Sequence, residues 1–336
     1  MKAIGFKTSL PISEADSFLA FETEKPVPSG RQLLVRIAAV SVNPVDTKVR
    51  KNSAKDQELA SPKIIGWDAV GIVEAVGGEA SLFQPGDTVY YAGDIRLPGS
   101  NAEYQLVDER IVGKAPRQLS AEQAAAIPLT ALTAWELLFD RMGITDKDKG
   151  KTILIIGGAG GVGSIAIQLA KQVAGLNVIA TASRPESVEW CRKMGADVVV
   201  NHQNLVEEVR NAGIKDVDII LDLVNLQHYW SAMVELVKPQ GKIGSISDSG
   251  EELNLRQLKG KSVSFFWEMM FTRSSFQTED MQVQHHILNK VSELLDNGTL
   301  TTTLTETIEG LTAENFKKAH AQLESGRTIG KLVVKY

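Results

Sequence analysis

Seven residues, Gly157-Gly158-Ala159-Gly160-Gly161-Val162-Gly163, constrain this chain more than any other stretch. They follow a continuous apolar run, Thr152–Ile156, of the kind that forms a strand buried on both faces of a parallel sheet. They open the segment Gly161–Ala174, in which Val162, Ile165, Leu169 and Val173 recur on one helical face. A glycine-rich turn between such a strand and helix lets backbone N–H groups approach a diphosphate, and the helix dipole favours the anion. The segment fits G-x-x-G-x-x-G and, read from Gly158, G-x-G-x-x-G. A dinucleotide is therefore the expected ligand, with Gly157, Gly160, Gly161, Val162 and Gly163 against it. An ATP-type loop is disfavoured because Ser164 stands where that motif needs lysine. The competing use of the glycines is a tight turn that serves packing alone.

Around this point the apolar periodicity alternates strand and helix. Strands are expected at Asn177–Ser183, Asp197–Val200, Val217–Leu223, Lys242–Ser247 and Ser262–Phe266, with helices near Glu186–Met194, Leu205–Asn211 and Gln227–Val237 between them. That rhythm predicts an α/β fold with a doubly wound parallel sheet. The first third reads differently, as β-rich, with short apolar runs (Leu33–Val42, Ala69–Val76, Thr88–Ala92) between Gly, Pro and Asp turns. Ser120-x-x-Gln123 reads as a capping box ahead of a helix Ala124–Phe139 broken at Pro128. The tail carries a long helix Val283–Leu295, a Thr-rich strand, another helix and a closing strand Lys331–Val334. The expected division is 1–124, 125–268 and a C-terminal segment 269–336, in line with a length that favours two domains.

The end of the second strand of the alternating region bears on cofactor choice. An Asp or Glu there would bind the ribose hydroxyl of NAD. This chain has Ser183-Arg184, a hydroxyl and a guanidinium suited to a 2′-phosphate, so NADP(H) is expected. Ser183-Arg184-Pro185-Glu186 also reads as an ordinary capping box, and the two roles can coexist. Ser247, closing the strand Lys242–Ser247, is counted with the cofactor contacts. A net charge of −5 argues against a nucleic-acid partner, and no apolar stretch approaches the length of a membrane span. One cysteine, Cys191, excludes an internal disulfide and suits a reducing, cytoplasmic setting. Zinc is not expected, since five scattered histidines and one cysteine do not make its usual ligand sets. No tyrosine has lysine four residues later, which disfavours the short-chain dehydrogenases.

Several blocks in order resemble the medium-chain dehydrogenase/reductase superfamily over essentially the whole chain. They are Val42-Asn43-Pro44-Val45-Asp46, Gly66-Trp67-Asp68-Ala69-Val70-Gly71, Pro85-Gly86-Asp87-Thr88-Val89, Pro128-Leu129-Thr130-Ala131-Leu132-Thr133-Ala134-Trp135 and the glycine turn. Within the superfamily they are similar to the quinone oxidoreductase branch, in a subgroup often labelled zinc-type alcohol dehydrogenase-like. The resemblance implies a GroES-like catalytic domain built from both chain ends, a Rossmann domain, an active site in the cleft and a homodimer. It also implies that Asn43 lies near the nicotinamide and the substrate carbonyl, that Asp46 orders that loop, that Thr133 approaches the nicotinamide end and that Lys331 reaches the cofactor or a developing oxyanion. As plain structure, Asn43-Pro44 is a natural turn, Asp46 a helix cap and Lys331 a solvated lysine at a strand start.

The zinc label departs from the residues. The block that holds a cysteine ligand in zinc enzymes reads Ser41-Val42-Asn43-Pro44, their Gly-His-Glu is Gly66-Trp67-Asp68, and the four-cysteine lobe is missing. Relatives often place tyrosines after the Asn-Pro-x-Asp block, where this chain has Lys48-Val49-Arg50-Lys51-Asn52; Tyr90 and Tyr91 are candidate replacements. Trp67, Phe266, Trp267, Met270 and Phe271 could wall an apolar pocket, or serve as core or dimer interface. The expected activity is NADPH-dependent reduction of a quinone or α,β-unsaturated carbonyl, small molecules that hydrogen bonds alone can activate. The alternatives are a zinc alcohol dehydrogenase and a non-catalytic NADPH-binding sensor or structural protein.

Overall fold

A computed structural model describes all residues, Met1–Tyr336. The chain forms two units, one from Met1–Leu129 with Phe271–Tyr336, the other from Thr130–Met270.

The first unit is built on a seven-stranded sheet. Its path runs Leu304–Glu309, Lys331–Lys335, Gln32–Ser41, Ala69–Val76, Thr88–Tyr91 and Val112–Lys114, and Tyr104–Asp108 also pairs with Gln32–Ser41. A smaller sheet joins Leu19–Glu22, Lys2–Phe6 and Lys63–Ile64. The two chain ends meet inside the larger sheet, where Val333 stands opposite Ser41 in an antiparallel pair. That register brings the start of the last strand against the loop after Ser41. Tyr90 and Tyr91 are fully buried, and the Tyr90 hydroxyl donates to the Leu288 carbonyl at 2.5 Å, so both rings are core. Burial lifts both phenols above their ordinary range.

The second unit is a six-stranded parallel sheet, Thr152–Ile156, Asn177–Thr181, Val198–Val200, Val217–Asp222, Val237–Ser245 and Ser264–Trp267. Its spatial order is third, second, first, fourth, fifth, sixth. Ile153, Leu154, Ile155 and Ile156 are completely buried, as helices on both faces require. Ser264–Trp267 is an edge strand on which Trp267 remains 53% exposed, while Trp67 and Phe271 pack edge to face, 6.3 Å apart, in the first unit. The aromatic residues thus divide between a core and a sheet edge.

Several bounds differ from the sequence pattern: the fifth strand begins at Val237 rather than Lys242, the second ends at Thr181 rather than Ser183, and three further differences have local reasons. The helix Gly161–Gln168 widens at Leu169–Val173, where the Ala174 N–H bonds to the Leu169 carbonyl at 2.9 Å, so Val173 turns off the buried stripe. The edge strand starts at Ser264, not Ser262, because Ser262 adopts a left-handed φ of 51°. The fifth strand ends at Ser245, beyond which the chain curls back so that the Ser247 N–H meets the Ser245 hydroxyl at 3.1 Å. The Ser120 capping box forms as expected, and Pro128 starts a new helix, Pro128–Trp135.

Candidate functional site

The glycine turn stands at the carboxyl end of the first parallel strand, with Gly157 in a left-handed conformation, φ 90°. Its glycines serve different ends. A Cβ on Gly163 would lie 2.3 Å from the Gly157 carbonyl oxygen, and one on Gly158 would lie 2.7 Å from Ala180 Cβ and 3.1 Å from Cys191 Sγ. These two are glycine because the turn folds tightly on itself and on the neighbouring strand. Gly160 is otherwise: a Cβ there would meet nothing nearer than the Gly157 oxygen at 3.6 Å. Packing does not demand a glycine at 160, and what its absent side chain keeps clear is the space before the helix start. No side chain caps that start, so the N-terminal N–H groups of Gly161–Gln168 are left for another acceptor. An anionic diphosphate fits this cradle.

Ser183 and Arg184 lie beyond the end of the neighbouring strand Asn177–Thr181. The sequence reading that put the helix cap at Ser183 needs correction. Arg184 is the N-cap of Pro185–Met194, and its N–H donates to the Ser187 hydroxyl at 3.1 Å. Ser183 is left exposed beside Arg184, whose guanidinium is partly exposed and 3.4 Å from Glu186. Cys191 is buried and its thiol is pushed up to about 12 by burial, which makes it a packing residue. Thr133 is buried on Pro128–Trp135. Ser247 is also nearly buried, its hydroxyl engaged with Asp222 and with the N–H of Leu226 at 2.9 Å.

In the first unit, the structure brings Asn43, Asp46 and Lys331 into one buried cluster and adds Asp68, each at most 3% exposed. Asn43 is the N-cap of Pro44–Asn52, and its N–H donates to Asp46 Oδ2 at 2.7 Å, so Asp46 does cap the helix. The Asn43 side-chain amide donates to Asp68 Oδ2 at 3.2 Å and to the Ser41 carbonyl at 3.3 Å. Lys331 is not solvated: its ammonium bonds the Asn43 Oδ1 and the Val42 carbonyl (3.1 Å) and lies 3.4 Å from Asp68 Oδ2. Asp68 Oδ1 accepts the Leu129 N–H at 3.1 Å, while Asp46 Oδ1 has no hydrogen-bond partner. Asp68 was legible only as a departure from a zinc ligand. Its position beside the tight turn at Gly66, φ 105°, was the available signal.

Burial pushes the Asp46 carboxyl up to about 7; the Asn43 N–H and Lys331 oppose the shift, and Asp68 adds to it. Burial likewise raises Asp68 to about 6 against the pull of Lys331, Leu129 and Asn43, and it draws the Lys331 ammonium below its ordinary range. The two carboxyls thus titrate close to neutral pH as a coupled pair, with the Lys331 ammonium drawing both back down. Between about pH 4 and about 7 the native Asp46 keeps a proton that the unfolded chain has released. Stability therefore falls as pH rises through that window. In Asp46→Asn that contribution vanishes, so the urea midpoint should decline less steeply with pH than in the wild type. Identical slopes would show that Asp46 titrates alike in both states.

A zinc ion does not fit these donors. Trp67, at the histidine position of the zinc pattern, offers an indole N–H that donates to the Asp94 carbonyl at 3.1 Å. The Ser41 hydroxyl donates to the Leu332 carbonyl at 3.2 Å, and Asp68 faces the Lys331 ammonium. No group of three or more His, Cys, Asp or Glu side chains is placed to hold a metal ion.

Comparison with known proteins adds lineage to this geometry. Residues 161–284 match the zinc-binding dehydrogenase family and residues 29–117 the alcohol dehydrogenase GroES-like domain. A zinc-type alcohol dehydrogenase-like protein of Staphylococcus aureus (strain MSSA476) is 45% identical over 338 residues, covering 99% of both chains. A 2-methylene-furan-3-one reductase of Solanum lycopersicum is 39% identical over 194 residues, 55% of this chain and 48% of that one. Among solved structures, a zinc-dependent alcohol dehydrogenase-type protein from Rhizobium etli CFN 42 superimposes with a TM-score of 0.95 at 46% identity, covering 100% of this chain and 98% of that one. The Escherichia coli quinone oxidoreductase complexed with NADPH gives 0.84 at 25% identity, with 100% of each chain covered.

Proposed function

Because this chain belongs to the medium-chain dehydrogenase/reductase superfamily, and is an oxidoreductase of that kind, we propose that it uses NADPH to reduce a quinone or an α,β-unsaturated carbonyl without a metal. The observation that carries this reading is the open cradle at Gly160 with Ser183 and Arg184, and no acid, at the end of the neighbouring strand. Its likeness to an NADPH-bound quinone oxidoreductase and to an enone reductase supports the same choice.

When bound, the cofactor supplies a hydride. The protein's part is to bind, orient and manage charge. Gly157, Gly160, Gly161, Val162 and Gly163 take the diphosphate, and Ser183 and Arg184 the 2′-phosphate. Thr133 and Ser247 belong to the nicotinamide half. Hydride addition to the β carbon of a conjugated carbonyl leaves an enolate that hydrogen bonds can stabilise and that must gain a proton. Asn43, Asp46 and Lys331 form the assembly assigned to that proton, since it holds an ammonium, carboxyl groups near neutrality and an Asp46 oxygen without a partner. The donors favour this acceptor class over a simple alcohol, which hydrogen bonds activate poorly.

Purified protein should oxidise NADPH when given a quinone or an enone, with turnover insensitive to chelators and with substoichiometric metal by elemental analysis. Silence across a broad acceptor panel would overturn the acceptor assignment. Arg184→Ala should weaken NADPH by about 1.5–3 kcal/mol, the range for hydrogen bonds to charged groups, and leave NADH nearly unchanged. Equal NADPH affinity in the two proteins would remove Arg184 from the site.

A homodimer is part of the proposal. Ser264–Trp267 leaves one strand edge unpaired beside the exposed Trp267 and Leu255, features a second copy would cover. Light scattering tests it. No helix is long and apolar enough to cross a membrane; the cytoplasmic setting we propose rests on the single cysteine, Cys191, which suits a reducing compartment.

A further inference from the structure

Asp222 ends the strand Val217–Asp222 and is completely buried, yet no cationic side chain pairs with it. Four neutral donors meet its charge instead. The N–H groups of Val224 (3.2 Å) and Asn225 (3.1 Å) bond Oδ1, and the hydroxyls of Ser245 (2.8 Å) and Ser247 bond Oδ2. The hydroxyls are themselves acceptors. Ser245 Oγ takes the Ser247 N–H, and Ser247 Oγ takes the N–H of Leu226, the first residue of the helix Leu226–Leu236. One carboxylate therefore ties together the loop after the fourth strand, the loop after the fifth and the start of a helix. For stability alone an apolar side chain at a buried strand end would serve at less desolvation cost.

The place of the clamp gives it a use. The strand Thr152–Ile156 lies between Asn177–Thr181 and Val217–Asp222, and the strand order reverses there. Ligands of doubly wound sheets bind outside the carboxyl ends of the strands at such a reversal. The loop that Asp222 holds abuts the glycine turn directly, since a Cβ on Gly157 would come within 2.4 Å of Val224 Cγ2. Val224 itself is 55% exposed. With the 2′-phosphate at Arg184 and the diphosphate on the turn, the rest of the dinucleotide must run the other way, across the ends of Val217–Asp222 and Val237–Ser245.

We propose that Asp222, acting through Ser245 and Ser247, is a positioning residue that fixes the two loops seating the nicotinamide half of the cofactor. This rests on the dinucleotide reading above. Asp222→Asn keeps the shape but removes the charge, so the bonds from the backbone N–H groups and hydroxyls become weaker neutral ones. Any hydroxyl that meets the new amide N–H groups must accept instead of donate. Ser245→Ala, at a residue not assigned to the cofactor, removes one donor to Asp222 and orphans the Ser247 N–H, and it decides the matter if the first variant does not fold.

Calorimetric titration should use NADPH and, separately, adenosine 2′,5′-bisphosphate, which lacks the nicotinamide half. The Kd for NADPH should rise about tenfold in either variant, while that for the bisphosphate stays within about twofold of wild type. A merely structural role would weaken both ligands together. Equal weakening of both, or of neither, overturns the positioning role and leaves the cofactor assignment standing. A wild-type protein that binds neither ligand overturns the dinucleotide reading, and the positioning role with it.

Discussion

Lys331→Met should lower the unfolding free energy by about 3–5 kcal/mol near pH 8, the usual consequence of removing one partner from a buried charge pair. The ammonium is the only cation among Asn43, Asp46 and Asp68, and its loss leaves the Val42 carbonyl and Asn43 Oδ1 without their donor. Asp68 would keep only the Leu129 N–H and the Asn43 amide. With the cation gone, both carboxyls, already held at about 6 and about 7, should rise further. They can then protonate in mild acid, so the deficit should shrink toward pH 5. Asp68→Asn in the Lys331→Met background should recover part of the loss, since it removes the stranded charge. Chemical denaturation at the two pH values measures all of this, and a loss below about 1 kcal/mol at pH 8 would mean that the cluster does not depend on its cation.

Gly163→Ala is expected to weaken NADPH by about a hundredfold or more. Its Cβ would lie 2.3 Å from the Gly157 oxygen and 2.7 Å from the Gly158 Cα, and all of these opposing atoms are backbone. The turn must open, which misdirects at least two N–H groups from the diphosphate; bonds to charged groups contribute about 1.5–3 kcal/mol each. The apo protein should lose stability as well, by about 1–3 kcal/mol, as overpacked sites do. Gly160→Ala separates binding from folding. Its Cβ meets nothing closer than 3.6 Å, so the melting temperature should hold while NADPH affinity falls, because the new methyl occupies the space before the helix. Unchanged affinity in Gly160→Ala would place the diphosphate elsewhere.

Much of the second unit was readable from periodicity. Continuous apolar strands such as Thr152–Ile156 and the glycine turn are local signals, and Leu205–Asn211 has the expected bounds. Three of the misread boundaries lie where a side chain or a left-handed residue redirects the backbone. Ser187 moves the cap to Arg184, Ser262 delays the edge strand, and Ser245 ends the fifth strand early. Tyr90 and Tyr91, read as stand-ins for lost tyrosine donors, were core, since alternation along Thr88–Tyr91 does not tell which neighbours cover each face.

The sequence by itself determined the kind of fold and the glycine turn between its first parallel strand and helix, because both depend on residues close together in the chain. It also shows one cysteine and five scattered histidines, fewer than the usual zinc ligand sets use, a count that needs no coordinates. Only the tertiary structure decided what Lys331, Asp68 and Asp222 touch. Lys331 meets Asn43 through an antiparallel pairing of the two chain ends, and Asp222 meets Ser247 across adjacent parallel strands. Those contacts arise from strand order and register, and burial then fixes the protonation of the groups they gather.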